Sequence, residues 1–341
     1  MSTFVRTQEI EHEIGDHGQL TLRVTSPDVE MRSTDGRVAR VRATFEIRAA
    51  SDADADEIFN RLRFRVKEGP GSLEVSEPRD GSAGIGSLMR TLIGSDKVDA
   101  SVAVDAPIGC DVRYDGVSAD LTATGFQGSQ HYRTMSGDLV LEDVGGELRV
   151  RGVSSDISLR ASAALSTLEV NTVSGDVSAV APHVGQLRVV TVSGDVELET
   201  SLGDGPGHRI ETVSGDVSLG VGGDLTLEVR GLSTDVDVRL PHRAEGSRDR
   251  RRYVIGGGGP DILFSSMSGD IEVRTARRGV ATPPTPPTPP TPPTPPTRPT
   301  PPQIVAISDE EQLEVLRALE RGEIGVEEAT RRLAGQERSG G

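Results

Sequence analysis

Between Thr21 and Pro78 apolar and polar residues alternate at period two, as in the runs Leu20, Leu22, Val24 and Val41, Ala43, Phe45, Ile47. That period places one face of an extended chain against a core, so both runs predict β-strands. One stretch breaks the alternation. Ser51 or Asp52 caps a predicted helix over Ala53 to Arg63, with Ile58, Phe59 and Leu62 on its apolar face. Glycines and small residues from Gly81 to Gly94 predict a loop, and Val102, Val104 and Pro107 open a second series of strands.

Within that second series a Ser-x-Asp corner recurs, ending at Asp120, Asp138, Asp156, Asp176, Asp195, Asp216, Asp235 and Asp270. Through Asp235 it returns about every 19 residues, the length of one coil in a stacked-repeat fold. The last step is longer and predicts an insertion or a degenerate coil over 236–269. Aligned on Asp, the position one after is apolar throughout (Leu121, Leu139, Ile157 onward), as is the position three after (Ala123, Leu141, Leu159 onward). The positions three before (Val117, Met135, Val153 onward) and six before (Tyr114, Tyr132, Val150 onward) are apolar too, and all four columns read as inward. Four before lies a small residue such as Gly116 or Thr134, where a bend is expected. A strand therefore enters each corner and a strand with one buried face leaves it.

After Arg274 the sequence changes character. Residues Thr282 to Pro302 are essentially Thr-Pro-Pro repeats, which adopt polyproline II and make a spacer of up to ~65 Å at ~3.1 Å per residue. Ser308-Asp309-Glu310-Glu311 is a capping box opening a helix with Leu313, Leu316 and Leu319 on one face, and Gly322 ends it. Ile324, Val326, Ala329 and Leu333 continue as a second short helix. A hairpin this small lacks a core of its own, so Leu313, Leu316, Leu319, Ile324 and Leu333 are expected to form a partner-docking or self-association face.

The fold class expected is all-β: a parallel, β-helix-like solenoid with an N-terminal β lead-in, a polyproline linker and a small C-terminal helical hairpin. The organisation expected is a tail over 1–18, a lead-in domain over 19–110, the solenoid over 111–276, a linker over 277–307, the hairpin over 308–335 and a disordered end over 336–341. Composition suits a thin stacked core, with apolar residues at 34%, aromatics at 3%, no Trp and 40 glycines. The net charge of −16 disfavours nucleic acid and anionic membrane as partners. Cys110 is the single cysteine, so no internal disulfide holds the fold. Neither an apolar signal-peptide core at Met1 to Leu20 nor a membrane-spanning run is visible, and a cytoplasmic protein that meets the cell envelope through a partner is expected.

Corners such as Val173-Ser174-Gly175-Asp176-Val177, preceded by the strand Val102-Ala103-Val104-Asp105-Ala106-Pro107-Ile108-Gly109, resemble the bacterial putative-adhesin β-solenoid family over roughly Gln19 to Thr275. The stretches Leu313 to Ile324 and Val326 to Ala329 resemble a SHOCT-like two-helix module. The resemblance implies a non-catalytic role, linked in some members to the bacterial envelope and its stress responses.

Carboxylates one layer apart repel by ~3 to 4 kcal/mol at an effective dielectric near 20, so a column of aspartates needs an offset. Asx-type turn chemistry supplies one and makes the corners structural, whereas calcium between layers would make them a cation site and the protein a calcium-stiffened surface adhesin. Gly256 to Leu263 spells a calcium-binding nonapeptide once, without the tandem copies such sites need, and reads as a flexible turn. A carbohydrate-active solenoid lyase or hydrolase would need paired acids on an irregular coil. His131, His183 and His208 fall at different phases of the repeat, and no Ser-His-Asp elbow, zinc spacing or nucleophilic cysteine is present. No catalytic, metal or cofactor-binding residue is assigned. Arg243, Arg248, Arg250, Arg251 and Arg252 form one basic cluster, a candidate anion patch. The function expected is a non-catalytic scaffold or adhesin-like binding protein with a C-terminal association module.

Overall fold

The computed structural model describes residues 2–78, 98–205, 207–247 and 250–277. The expected loop over 81–94, the Thr-Pro-Pro spacer and the C-terminal hairpin lie outside the described residues. Among the described residues the regular elements are strands apart from one helix, and the strands join in a single 23-stranded sheet.

The chain opens with β1 (Ser2–Glu13), β2 (Gln19–Arg23), β3 (Asp28–Thr34) and β4 (Val38–Ala49). Next come α1 (Asp52–Leu62), β5 (Arg65–Gly69), β6 (Ser72–Ser76) and β7 (Val98–Pro107). Ser51 caps α1 by accepting the Asp54 amide at 3.2 Å, and the helix seats Phe59 edge-on against Phe45 of β4. Then follow β8 (Asp111–Asp115), β9 (Leu121–Thr124), β10 (Ser129–Arg133), β11 (Leu139–Arg151) and β12 (Ile157–Asn171). The next six are β13 (Val177–Val180), β14 (Val184–Val190), β15 (Val196–Thr200), β16 (His208–Ser214), β17 (Val217–Val221) and β18 (Leu225–Ser233). The last are β19 (Val236–Val238), β20 (His242–Ser247), β21 (Arg250–Ile255), β22 (Asp261–Ser268) and β23 (Ile271–Thr275).

These strands stack in two parallel ladders joined by the Ser-x-Asp corners. One runs β6, β2, β8, β10, the second half of β11, the second half of β12, β14, β16, β22 and β18. The other runs β7, β3, β9, the first halves of β11 and β12, β13, β15, β17, β23 and β19. Antiparallel strands cover ladder ends: β5 on β6, β4 on β7 with β1 on β4, and β21 on β18 with β20 on β21. Covering an edge strand removes its unpaired backbone groups from the surface.

Layer order departs from chain order at both ends. β2 and β3 sit between the layer of β6 and β7 and the layer of β8 and β9, although β6 and β7 follow them in sequence. At the other end β22 and β23 slide between β16–β17 and β18–β19. The long step between Asp235 and Asp270 is therefore a hairpin, β20–β21, followed by a regular layer placed out of order. Residues 1–18, expected as a tail, contain β1. The expected boundary at 110/111 is crossed by in-register pairing of β2 with β8 and β3 with β9. Strand pairing, rather than position along the chain, decides where a layer belongs.

The core is the inner face of both ladders. The columns one and three after Asp are buried from Leu121 and Ala123 through Ile271 and Val273, save Val236 and Val238 of the outermost layer, which are half-buried; the column six before Asp is buried from Tyr114 to Phe264. The column three before Asp is not. Val117, Met135, Val153, Val173, Val192, Val213 and Met267 are 39–57% exposed, which corrects their expected inward placement. They follow the bend at the small residue, which turns the next side chain outward.

Two ionisable groups mark packing rather than chemistry. Glu199 on β15 is buried beside Arg274 on β23 at 2.8 Å, reaching across Gly220 of the intervening β17, where a Cβ would come within 3.2 Å of the guanidinium. Glu77 accepts the Thr25 amide at 2.8 Å, while its other oxygen is buried without a hydrogen bond, and burial pushes its carboxyl above the ordinary value. A raised folded value means the group's stability contribution is present below the unfolded value and lost as pH rises through the folded one. Glu77→Gln is thus expected to raise the melting temperature at neutral pH and to give no gain near pH 4, as paired thermal melts would read.

Candidate functional site

The corner is the chemically distinctive unit. From Asp120 onward an Asp carboxylate accepts the backbone N–H of the Asp in the next layer. Asp120 takes Asp138 at 2.8 Å, Asp138 takes Asp156 at 3.3 Å, Asp156 takes Asp176 at 2.9 Å and Asp176 takes Asp195 at 2.8 Å. The chain of bonds continues from Asp195 to Asp216 at 2.9 Å, then to Asp270 at 2.9 Å, and from Asp270 to Asp235 at 2.8 Å. These charge-assisted bonds offset the repulsion between stacked carboxylates. They run between layers, where sequence reasoning placed them within one turn.

The residue before Asp differs between corners. Gly137, Gly175, Gly194 and Gly215 hold φ between +109° and +135°, each over the backbone of the layer below. Ala119, Ser155 and Thr234 take the same position with negative φ and bury their side chains. At the bend, Thr134, Thr172 and Thr191 donate their hydroxyls to the carbonyls of Ser136, Ser174 and Ser193 at 2.9, 3.2 and 3.3 Å.

A ninth corner escaped the sequence reading. Thr25-Ser26-Pro27-Asp28 precedes Val29 and Met31, both buried, and the Val29 amide donates to the Asp120 carbonyl as Leu121 donates to Asp138. The Ser-x-Asp spelling with apolar residues one and three later was its signal. The helix, caps and two layers inserted before Asp120 hid it.

Outward from the second ladder, Asp176, Asp195, Asp216, Asp235 and Asp270 share a hollow of about 660 Å³ with Glu197, Asp237 and Glu272. Among the described residues no group of three or more His, Cys, Asp or Glu is placed to hold a metal ion. Asp195→Ala is expected to cost about 1 kcal/mol by removing the acceptor for Asp216. Asp195→Asn keeps the acceptor oxygen and should melt with the wild type. Both melts should be insensitive to calcium and to EDTA, and a large calcium-induced rise would overturn the structural role.

The basic cluster does not converge. Arg251 donates to the Thr234 carbonyl at 2.6 Å, Arg252 faces Asp261 at 3.4 Å and Arg243 faces Glu245 at 3.0 Å. Arg250 begins β21, and Arg248 lies outside the described residues. The glycine run following them is pinned: Asp224 accepts the Gly257 amide at 2.8 Å. Elsewhere on the first ladder, Arg23, Arg113, Arg133, Arg149 and Arg151 line a cleft of about 510 Å³ with Asp115, Glu169 and His131. Burial, then Arg149 and Arg113, lower the His131 proton affinity.

The histidines stay apart. His208 is buried, accepting the Leu187 amide and contacting the Gly203 carbonyl at 2.8 Å, while His183 contacts the Ser201 hydroxyl at 3.2 Å. Burial pushes the Cys110 thiol up to about 12, so it is protonated at neutral pH. Leu313, Leu316, Leu319, Ile324 and Leu333 lie outside the described residues.

No curated protein matches this chain. Similar solved structures include a putative adhesin from Parabacteroides distasonis ATCC 8503, 12% identical over 79% of this chain and 97% of that one, with a TM-score of 0.36. A putative adhesin from Bacteroides fragilis NCTC 9343 is 12% identical over 79% and 97%, with a TM-score of 0.29. A putative lipid binding protein from Parabacteroides distasonis ATCC 8503 is 11% identical over 78% and 96%, with a TM-score of 0.23. The family described as Toastrack DUF4097 matches residues 17–274, a span that opens just before β2, closes within β23 and takes in every corner. The chain belongs to the Toastrack DUF4097 family.

Proposed function

We propose that the protein is a non-catalytic binding scaffold whose layers wind as a parallel β-solenoid and whose hairpin over 308–335 is an association module. One observation carries this reading. Each layer repeats the same exposed side chains at the corner, so the surface offers rows rather than a convergent pocket, and rows suit an extended macromolecular partner. The groups whose proton affinity burial shifts furthest, Cys110, Tyr114 and Tyr132, are buried in the core. An adhesin-like role fits the same surface, because adhesion needs area and repetition more than chemistry.

The hairpin is tested by Leu316→Asp with Leu319→Asp in the full chain. Light scattering should show a smaller mass, or proximity labelling a lost partner, while the main thermal transition stays in place. Equal mass together with an equal set of labelled proteins would overturn the hairpin's role.

A further inference from the structure

The exposed column of Val117, Met135, Val153, Val173, Val192, Val213 and Met267 has no task in holding the corner. The backbone does that by itself: the Ser136, Ser154, Ser174, Ser193 and Ser214 amides donate to the carbonyls of Val117, Met135, Val153, Val173 and Val192 at 2.7 to 2.9 Å. A polar side chain would leave those bonds intact. Each of these positions nonetheless carries Val or Met, half exposed, in one row with a layer every ~4.8 Å. Single exposed apolar residues are ordinary, whereas a continuous apolar strip marks a binding surface.

What lies beside the strip identifies its partner. Three residues further on runs the exposed Asp column, while Glu197, Asp237 and Glu272 beyond it are already paired with Arg274 and Arg239, and the opposite flank carries Arg133 and Arg151. On its corner side the apolar strip is therefore bordered by carboxylates. An anionic membrane would be repelled by the Asp column. We propose that the Val/Met row and the Asp row together dock a cationic amphipathic segment of a partner protein, with its apolar residues on the valines and its Lys or Arg side chains on the aspartates. Basic groups answer carboxylate oxygens that already accept one backbone amide each and keep lone pairs for more.

This surface deepens the scaffold reading and rests on it. The two fail separately, because the hairpin variants leave the row untouched.

The probe is a fluorescent helical peptide of leucine and lysine with an apolar face, titrated by anisotropy against the full chain at physiological ionic strength. Val153→Thr, Val173→Thr and Val192→Thr together keep β-branching and volume, and should weaken binding about tenfold or more. The same positions changed to Met, already present at Met135 and Met267, should bind as wild type. Asp156→Asn, Asp176→Asn and Asp195→Asn together keep the acceptor oxygens and should weaken binding while flattening its salt dependence. Unaltered melts would certify each variant as folded. The proposal is overturned if wild type fails to bind, if the Thr variant binds equally, or if a lysine peptide without leucine binds as tightly. It is also overturned if phosphatidylcholine vesicles capture the chain through the same row, which would make the surface lipid-binding.

Discussion

Gly194→Ala is expected to lower the melting temperature by roughly 10 °C, the cost of about 3 kcal/mol in a domain of this size. Two effects add. At φ of +123° a Cβ is strained, worth about 1 kcal/mol. The added carbon would also meet the Gly175 carbonyl oxygen at 2.2 Å and its carbon at 2.8 Å, and both are backbone atoms of the layer below. That layer cannot give way, because Gly175 stands in the same relation to the Ser155 carbonyl oxygen, again at 2.2 Å. Relief therefore means opening the ladder. The same column supplies the opposite result. Ser155 has a negative φ and a buried hydroxyl without a hydrogen bond, so Ser155→Ala should be neutral or slightly stabilising. Differential scanning calorimetry on the pair reads both signs at once. A Gly194→Ala melt within a degree or two of wild type would mean that the corners slide past one another.

Ending the chain at Gly259 is expected to unfold two layers instead of one. Among the described residues β19 pairs with β23 and with no other strand, and β18 keeps only the β21 hairpin once β22 is gone. The truncation also removes Arg274 from the buried Glu199, leaving a carboxylate under cover without its cation. Amide exchange should then show Val236 to Val238 fully unprotected, Leu225 to Ser233 largely so, and β16 and β17 frayed as new edges. A stack wound in chain order would lose only residues after the cut. Retained protection across Val236 to Val238 in the truncated chain would contradict the threaded arrangement.

Much of the described architecture could be read from the residues. The columns one and three after Asp and six before it are apolar because those side chains face inward, and a period-two pattern fixes that directly. Ser51 as the cap of α1 followed from local chemistry. The column three before Asp misled because hydrophobicity alone says nothing of direction once a bend intervenes, and there the small residue turns Val173 outward. Layer order was illegible for a different reason. Asp216 bonds Asp270 as it would have bonded Asp235, so the repeat carries no mark of which copy is next. Among the corners, Asp28 was missed because the strands inserted after it break the period. The bonding of the Asp column across layers was not found, because the partner amide lies a coil away in sequence.

The threaded layers at both ends bear on how such a molecule can change length. Appending a coil after Thr275 would not extend the stack, since the outermost layer, Leu225 to Val238, is already in place and backed by its hairpin. Interior coils are another matter: those from Leu121 to Val221 present the same corner above and below, so one can be copied or lost without disturbing either terminus. Growth is thus quantised, about 19 residues and ~4.8 Å at a time, between two fixed ends. A family built this way can vary the distance between its ends as a ruler does, in whole divisions.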